Sequence, residues 1–237
     1  MNNISFDFKD KKVLVFGGSR GIGAEVCKQF VSSGAVVYCA SRTPSNISGV
    51  IDIKCDISIS SQINKLFDEL SEVDFVINVA GTNLCVNIEE IDEGEWDRLI
   101  NINLKSFFLI CRRAVMIMKK NNFGRIVNVS SIAGRSKSIV SGTHYTSSKY
   151  GIIGLTKQLA NEVSKNNILV NCVCPSQTMT EMLRESMNKN QLKELESKIP
   201  IRRIATVEEQ ALPILFLCSD AASYITGAAI DINGGQL

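Results

Sequence analysis

The chain has 237 residues, of which 45% are hydrophobic and 21% are charged, and its formal net charge at pH 7 is +2. This composition is ordinary for a globular protein with a large core, and so small a net charge gives no electrostatic reason to expect binding to nucleic acid or to an acidic membrane. No apolar run reaches the ~18 residues of a membrane-spanning helix. The opening residues, MNNISFDFKDKK, contain no apolar signal core, so we expect a cytoplasmic protein without a membrane partner.

The eight cysteines are predicted to be buried thiols rather than metal ligands or disulfide partners. They include no C-x-x-C pair, and one histidine cannot complete a usual zinc set with scattered cysteines. Cys27, Cys39, Cys111 and Cys218 lie among apolar neighbours, where small hydrophobic residues are expected. We therefore expect no metal site and a reducing compartment.

Short β-rich runs alternate with segments of helical periodicity along the whole chain. The predicted strands, in order, are KKVLVFG, AVVYCAS, VIDIKCD, VDFVINVAG, GRIVNVSS, ILVNCVC and AAIDING. The predicted helical segments are 21–33, one from Ser58, 92–120, 145–164, a lid-like region at 179–198 and about 206–218. The strands are continuous apolar runs, which favours a parallel sheet covered on both faces.

This alternation predicts the α/β fold class, with a single doubly wound parallel sheet of the Rossmann type and helices on both faces. No repeat or linker divides the chain, so residues 1–237 are expected to form one domain, with a substrate lid at about 176–200. The segment 92–120 is expected to break or bend somewhere. Pro213 lies inside the last predicted helix, so that helix either starts late or kinks.

A glycine-rich turn follows the first predicted strand. In VFGGSRGIGAE, Gly17, Gly21 and Gly23 lie between a strand and a helix. Glycine permits φ > 0 in a tight turn and lets a pyrophosphate approach the backbone, and the N–H groups at the start of the helix attract the anion. The position of the turn predicts a dinucleotide site, and the alternative is a plain glycine-rich turn.

A second candidate site lies in HYTSSKYGIIG, where Tyr145 and Lys149 are one helical turn apart on one face. Free tyrosine has a pKa near 10 and exchanges protons poorly at neutral pH, but a neighbouring cation favours the phenolate form. Tyr145 is therefore a candidate donor of the proton that carbonyl reduction requires. Ser131, in VNVSSIAG at the C-terminal end of a strand, is the candidate hydroxyl for holding the carbonyl oxygen.

His144 is the one histidine of the chain and directly precedes Tyr145. On a helix its side chain points about 100° away from that of the tyrosine. With no second histidine and no matched carboxylate, we expect His144 to pack against its neighbours or to border the substrate pocket rather than to transfer protons.

The chain resembles the short-chain dehydrogenase/reductase family almost from end to end. The resemblance is carried by four motifs in the family's order: the glycine turn, NVAG, NVSSIAG and Y-x-x-x-K. It implies a nicotinamide dinucleotide at the glycine turn. It implies that Ser131, rather than Ser130, polarises a substrate carbonyl and that Tyr145 is the acid/base. It further implies that Lys149 supports the tyrosine and bonds the nicotinamide ribose, and that Asn103 holds a water in a proton relay. The alternative for Asn103 is a polar residue inside a helix or at a kink.

The end of the second predicted strand, CASRTPS, favours NADP(H) as the cofactor. By the resemblance, Ser41 stands where relatives that prefer NAD carry an aspartate, and Arg42 follows it. Arg42 and Arg20 are able to make charge-assisted contacts with a 2′-phosphate, although both could instead be solvated surface charges. Asp56 matches the position that reads the adenine amino group, and it is also a candidate N-cap for the following helix.

The resemblance implies a larger set of contacts with the dinucleotide. The predicted cofactor-binding residues are Gly17, Ser19, Arg20, Gly21, Ile22, Gly23, Ser41, Arg42, Asp56, Ile57, Asn78, Ala80, Gly81, Tyr145, Lys149, Pro175, Thr178 and Thr180. Phe16, Val79 and Ser176 depart from the residues usual in the family. These departures support one alternative, a catalytically weak regulator that binds the cofactor.

In length and motifs the chain is most similar to 3-oxoacyl-acyl-carrier-protein reductases, which implies an acyl-carrier-bound substrate and a role in fatty acid biosynthesis. The segment KKNNFGRI is less basic than in many of those relatives, so another small keto or hydroxy metabolite, or a sugar derivative, is an alternative substrate. The lid spaces Met179, Met182, Leu183 and Met187 for one apolar face, which could cover an acyl chain or pack on the body. SKYGIIGL resembles the helix that builds homotetramers in this family.

Overall fold

A computed structural model describes residues 5–138 and 140–237 of the chain. The strands in this part of the chain are β1 Lys12–Phe16, β2 Val36–Ser41, β3 Val50–Lys54, β4 Phe75–Asn78, β5 Gly124–Val129, β6 Ile168–Pro175 and β7 Ala229–Ile232. They form one parallel sheet in the order β3-β2-β1-β4-β5-β6-β7. The predicted doubly wound parallel sheet is confirmed.

Helices cover both faces of this sheet. The α-helices are α1 Gly21–Ser32, α2 Ser60–Glu69, α3 Glu93–Ile100, α4 Ser106–Asn121, α5 Thr143–Val163, α6 Glu181–Ser186, α7 Lys189–Ser197 and α8 Val207–Cys218. Successive side chains of a strand point to opposite faces, so β1 divides the core. Val13 and Val15 pack in the cluster that contains α1 and α8, whereas Leu14 and Phe16 pack in the cluster that contains α2, α4 and α5.

The strand order reverses beside β1, which pairs with β2 on one side and with β4 on the other. In an open parallel sheet such a reversal leaves a crevice at the carboxyl ends of the strands, where ligands bind. The segments after β1, β4, β5 and β6 meet at this edge. They carry the glycine turn, the end of NVAG, Ser131 and the start of the lid, so the fold brings the sequence motifs together.

The predicted break in 92–120 is confirmed. A π-turn at Asn101–Lys105 separates α3 from α4, and the Ser106 N–H donates to the Asn101 carbonyl, five residues back. The Ser106 hydroxyl donates to the neighbouring Ile102 carbonyl at 2.5 Å. π-turns are rare and are frequently found at functional sites, and this one carries Asn103.

Two other expectations for the carboxyl-terminal half have clear outcomes. α8 begins at Val207 behind a capping box between Thr206 and Glu209, so a late start caused by Pro213 is wrong. The lid-like region contains two helices, α6 and α7. The side chain of Met182, predicted for the apolar face of the lid, lies outside the described part of the chain.

The cysteines are free thiols, and all but Cys85 are buried. Cys27, Cys39, Cys111 and Cys218 lie in the two main core clusters, which confirms them as small buried hydrophobic residues. None of the helices in residues 5–138 and 140–237 has both the length and the apolar character needed to cross a membrane.

Candidate active site

The glycine turn between β1 and α1 has a backbone that only glycine fits well. Gly17 and Gly21 have φ values of +86° and +55°, in the left-handed region. A Cβ on Gly17 would lie 2.7 Å from the Ala80 backbone nitrogen, and one on Gly23 would lie 2.1 Å from the Gly17 carbonyl oxygen. Within the described residues, the side chain of the N-cap residue Arg20 forms no hydrogen bond with the first turn of α1. The N–H groups of that turn therefore remain suited to binding an anion. We call the space beside residues 17–23 the cradle.

Polar and cationic side chains surround the outer end of this cradle. Thr43 Oγ1 donates to Ser19 Oγ at 3.4 Å, and the Ser41 hydroxyl donates to the Thr43 carbonyl. Arg20 and Arg42 are exposed at the same end. Thr43 thus joins the end of β2 to the glycine turn through Ser41 and Ser19, a contact that sequence reasoning missed.

Asp56 does not cap the helix that follows it. α2 begins at Ser60 with Ile59 as its N-cap residue, so that alternative is wrong. The Asp56 Oδ1 atom instead accepts from the Ser58 N–H at 2.9 Å and from the Ser58 hydroxyl at 2.7 Å. These bonds, with the smaller effect of the Arg42 charge, lower the pKa of the Asp56 carboxyl.

Three predicted cofactor residues have side chains turned into the protein. Asn78 is fully buried, and its Nδ2 atom donates to Asn128 Oδ1 at 2.8 Å, which braces β4 against β5. Ile57 is buried in the core, and Ile22 packs against the other core cluster. At Asn78 the backbone, rather than the side chain, faces the carboxyl edge of the sheet. The next two N–H groups, of Val79 and Ala80, both donate to the Phe16 carbonyl.

The two serines after β5 have different hydrogen bonds. Ser130 is buried, and its hydroxyl donates to the Lys149 carbonyl at 2.8 Å. Ser131 is half-buried, and its oxygen accepts from the Ala133 N–H at 3.1 Å. A hydroxyl group has one proton to donate. The Ser130 proton is used in the hydrogen bond to the Lys149 carbonyl, whereas the bond that Ser131 accepts leaves its proton available for a substrate. The geometry supports Ser131 as the group that meets a substrate.

Lys149 is a buried cation at the centre of the site, with 4% of its surface exposed. Its Nζ atom donates to the Val129 carbonyl at 3.1 Å and lies 5.5 Å from the centre of the Tyr145 ring. A Cβ placed on Gly81 would lie 3.7 Å from the same nitrogen. The ammonium therefore borders both the tyrosine and the loop after β4.

Asn103 connects the π-turn to that loop. Its Oδ1 atom accepts from the Thr82 N–H, and its Nδ2 atom donates to the Thr82 carbonyl, both at 2.8 Å. Nδ2 also donates to Ser148 Oγ at 3.3 Å. An amide group has two N–H donors, and both are used here, so any water bound by this side chain would have to donate to its oxygen.

His144 is packed against its neighbours, one of the two expected arrangements, with none of its surface exposed. The structure corrects the expectation that it has no carboxylate partner, because its Nε2 atom lies 3.6 Å from Glu95 Oε1. Arg98 forms two hydrogen bonds with the Glu95 carboxyl group. Arg98 lowers the pKa of Glu95, and His144 adds a smaller effect in the same direction.

The segment that follows β6 lies against the glycine turn. Pro175 is buried at the end of β6, and Thr178 Oγ1 donates to the Ser176 carbonyl at 3.0 Å. Thr180 caps α6 by accepting from the Leu183 N–H, and its Cγ2 atom would lie 3.4 Å from a Cβ on Gly21. Thr180 is therefore next to the glycine turn, and its contact with a cofactor stays a prediction.

Sequence reasoning missed Thr82, Ser148 and Glu95. Thr82 bonds Asn103 through its backbone N–H and carbonyl, so no side-chain pattern in the sequence could predict this contact. Glu95 meets His144 only through packing of α3 against α5. Ser148 had a usable signal, because a serine inside a helix and next to a buried lysine has to satisfy its hydroxyl locally.

Comparisons with known proteins agree with this geometry. The chain matches the family model described as enoyl-(acyl carrier protein) reductase over residues 17–236. It is 35% identical to the 3-oxoacyl-[acyl-carrier-protein] reductase FabG of Chlamydia trachomatis serovar D, over 96% of this chain and 97% of that relative.

Solved structures show the same fold. The ligand-free aldohexose dehydrogenase AldT of Thermoplasma acidophilum has a TM-score of 0.89 at 29% identity, over 96% of this chain and 94% of that one. A variant of ElxO solved with NADPH bound also has a TM-score of 0.89, at 28% identity, over 96% of this chain and 98% of that one.

Proposed function

Because this chain belongs to the short-chain dehydrogenase/reductase family, we propose that it is an NADP(H)-dependent oxidoreductase that interconverts a carbonyl and a secondary alcohol by hydride transfer. The specific activity that we propose is reduction of a 3-oxoacyl thioester held on acyl carrier protein. One observation carries the proposal. The buried Lys149 ammonium lies beside both the Tyr145 ring and Gly81, at the sheet edge where the glycine turn opens.

The glycine turn fits the pyrophosphate of a dinucleotide. Side chains are excluded at Gly17 and Gly23, so the phosphates could approach the backbone, and the N–H groups at the start of α1 point into the same space. Lys149, near Gly81, is placed to bond the nicotinamide ribose. When bound, the dinucleotide supplies the hydride, and the protein's own groups orient the substrate and move the proton.

Three side chains divide the work at the substrate. The Ser131 hydroxyl donates to the carbonyl oxygen with its one proton, which the bond accepted from the Ala133 N–H does not use. Tyr145 transfers its phenolic proton to that oxygen as it becomes the oxygen of the alcohol. The Lys149 cation stabilises the phenolate that remains until solvent reprotonates it, with a water on Asn103 as the proposed relay.

The preference for NADP(H) rests on the outer end of the cradle. Arg20 and Arg42 are exposed there, and Ser41 takes the place of a carboxylate that would repel a 2′-phosphate. Guanidinium groups bind phosphate through charge-assisted hydrogen bonds. The similar structure of ElxO with NADPH bound supports this choice.

The substrate assignment is the finer part of the proposal. FabG of C. trachomatis supports a 3-oxoacyl group on acyl carrier protein. We propose that residues 176–200 form the lid over that substrate. AldT supports the alternative of a sugar derivative. The intact site formed by Ser131, Tyr145 and Lys149 argues against a regulator without catalysis, even though Phe16, Val79 and Ser176 depart from the family's usual residues.

We also propose a cytoplasmic homotetramer. Free thiols at all eight cysteines suit a reducing compartment. Phe108 and Met116 on α4 and Tyr150 on α5 are large apolar residues that are 49%, 55% and 49% exposed. A Cβ on Gly154 of α5 would meet nothing within 4 Å, which leaves room for a neighbouring helix. Light scattering of the purified protein tests the tetramer, and Phe108→Glu should reduce the measured mass.

The function is tested by following NADPH absorbance with a panel of substrates. The panel contains a 3-oxoacyl thioester on acyl carrier protein, the matching enoyl thioester, a small ketone and an aldose with NADP⁺. Fastest turnover of the 3-oxoacyl thioester is the expected result. Faster turnover of another member would replace the substrate assignment, and tight NADPH binding without turnover of any member would favour the regulator.

A further inference from the structure

A buried chain of hydrogen bonds joins the loop after β4 to the backbone of Tyr145. Thr82 and Asn103 form two reciprocal bonds, each 2.8 Å long. Asn103 Nδ2 donates onward to Ser148 Oγ at 3.3 Å, and Ser148 Oγ donates to the Tyr145 carbonyl at 2.7 Å. The chain starts beside Gly81, at the proposed dinucleotide site, and ends at the proposed acid/base residue.

Ser148 is the one link of this chain that belongs to the same helix as Tyr145, and none of its surface is exposed. A serine inside a helix often donates to a carbonyl three or four residues back without further consequence. Here the hydroxyl oxygen also accepts from an amide on another element, so it ties the first two turns of α5 to the π-turn. This hydrogen bond from Asn103 distinguishes Ser148 from a helix serine whose hydroxyl bonds only within its own helix.

The bond through Ser148 acts directly on the residue whose phenol is proposed to react. The N-cap residue of α5, Gly142, is anchored through its backbone, because its N–H donates to the Leu84 carbonyl at 3.0 Å. The Ser148 hydroxyl instead bonds the carbonyl of Tyr145 itself. Tyr145 lies in this first turn, so its phenol is held in place only as firmly as the turn itself.

We propose that Ser148 is a positioning residue that keeps the Tyr145 phenol beside the Lys149 ammonium and couples it to the Thr82 loop. This inference rests on the proposed function, because it assigns a role around the same acid/base group. Lys149 Nζ is held separately, by the Val129 carbonyl of β5. Loss of the Ser148 hydroxyl would therefore let the tyrosine shift relative to a cation that stays in place.

The same helix contains a matched control at Thr156. Its hydroxyl donates to the Ile152 carbonyl at 2.9 Å and accepts from Asn128 Nδ2 at 3.0 Å, and it is also fully buried. Thr156 thus bridges a buried asparagine amide to a carbonyl of α5, as Ser148 does, but two turns away from Lys149. Thr156→Val removes this hydroxyl with little change of shape, as Ser148→Ala does at the other site.

The first experiment compares kcat and KM of the two variants with NADPH and the best substrate. Both should lose a similar amount of thermal stability, since each loses one buried bridge. Ser148→Ala should lower kcat by about tenfold or more, as a small displacement of a reacting group does, with KM for NADPH little changed. Ser148→Thr, which restores a hydroxyl, should recover part of the loss. Equal loss of kcat in Ser148→Ala and Thr156→Val would overturn the proposal.

The second experiment needs no substrate. Amide hydrogen exchange at the amino end of α5 is recorded without cofactor or substrate. Ser148→Ala should speed exchange in this turn, because the bond to Asn103 and the bond to the Tyr145 carbonyl are both lost, whereas Thr156→Val should leave exchange in this turn unchanged. Unchanged exchange in Ser148→Ala would overturn the positioning role. Faster exchange in a protein that reduces no substrate would defeat the proposed function and leave the positioning role standing.

Discussion

The Lys149 ammonium nitrogen lies 5.5 Å from the centre of the Tyr145 ring while it donates to the Val129 carbonyl at 3.1 Å. The amine is thus fixed by the sheet, and the tyrosine approaches it from the first turn of α5. A buried cation in this position stabilises negative charge on the phenol more strongly than an exposed one would. In the mechanism that we propose, the pair links the architecture of the sheet edge to proton transfer.

Replacing Lys149 by Met should lower kcat by about 100-fold near neutral pH, because the phenolate loses its stabilising cation. KM for NADPH should rise as well, because the same amine is placed to bond the nicotinamide ribose. Steady-state kinetics with NADPH measure both effects. Lys149→Arg serves as the control that keeps the charge, and it should lose less kcat than Lys149→Met. Equal activity of the Met variant and the unmodified protein would contradict this role.

The two serines after β5 should respond differently to alanine substitution. Ser131→Ala should lower kcat by about 100-fold, since one hydrogen-bond donor to the reacting oxygen is lost. Ser130→Ala should mainly lower the melting temperature, because the Ser130 hydroxyl holds the Lys149 carbonyl of α5. Kinetics and thermal melting on both variants separate the roles. A larger kcat loss in Ser130→Ala would reverse the assignment.

Arg42→Ala should reduce the preference for NADPH over NADH by about tenfold, which is the effect of losing one charge-assisted hydrogen bond. The ratio of kcat/KM values for the two cofactors measures the change. Lys65→Ala removes an exposed cation from α2 and should leave the ratio unaltered. If Arg42→Ala kept the original ratio, the 2′-phosphate contact would have to be assigned elsewhere.

Asp56 should make stability depend on pH. The hydrogen bonds from Ser58, and to a lesser extent the Arg42 charge, lower the pKa of the Asp56 carboxyl in the folded protein. Its contribution is therefore fully present above the ordinary aspartate pKa of about 4 and is lost as pH falls through the lowered value. Asp56→Asn should be less stable at pH 7, and its deficit in melting temperature should shrink towards acid pH. A deficit of constant size would show that the ionised carboxylate is not the cause.

Local patterns in the sequence predicted the sheet and the two motifs that meet at its edge. Continuous apolar runs marked the buried strands, and the glycine spacing marked the turn whose φ values are positive. The Y-x-x-x-K spacing predicted the shared helix face of Tyr145 and Lys149. These features depend on neighbours within about one turn, so a single chain is enough to read them.

Contacts between distant segments were not predictable in the same way. Asn103 meets Thr82 and Ser148 across separations of 21 and 45 residues, and only the completed fold sets those distances. Asp56 was placed as a candidate cap because periodicity locates a helix start to within a few residues, whereas α2 starts at Ser60. The prediction of Ser131 over Ser130 comes from resemblance, and the different hydrogen bonds of the two hydroxyl groups support it.

The most direct test of the account is the turnover of Tyr145→Phe with NADPH and a 3-oxoacyl thioester. The substitution removes one phenolic oxygen and keeps the ring, so NADPH should still bind with nearly its original affinity. We expect kcat to fall by at least about 100-fold, because the phenolic proton that the proposed mechanism transfers to the substrate oxygen is lost. Turnover close to that of the unmodified protein would contradict the assignment of Tyr145 as the acid and, with it, the mechanism.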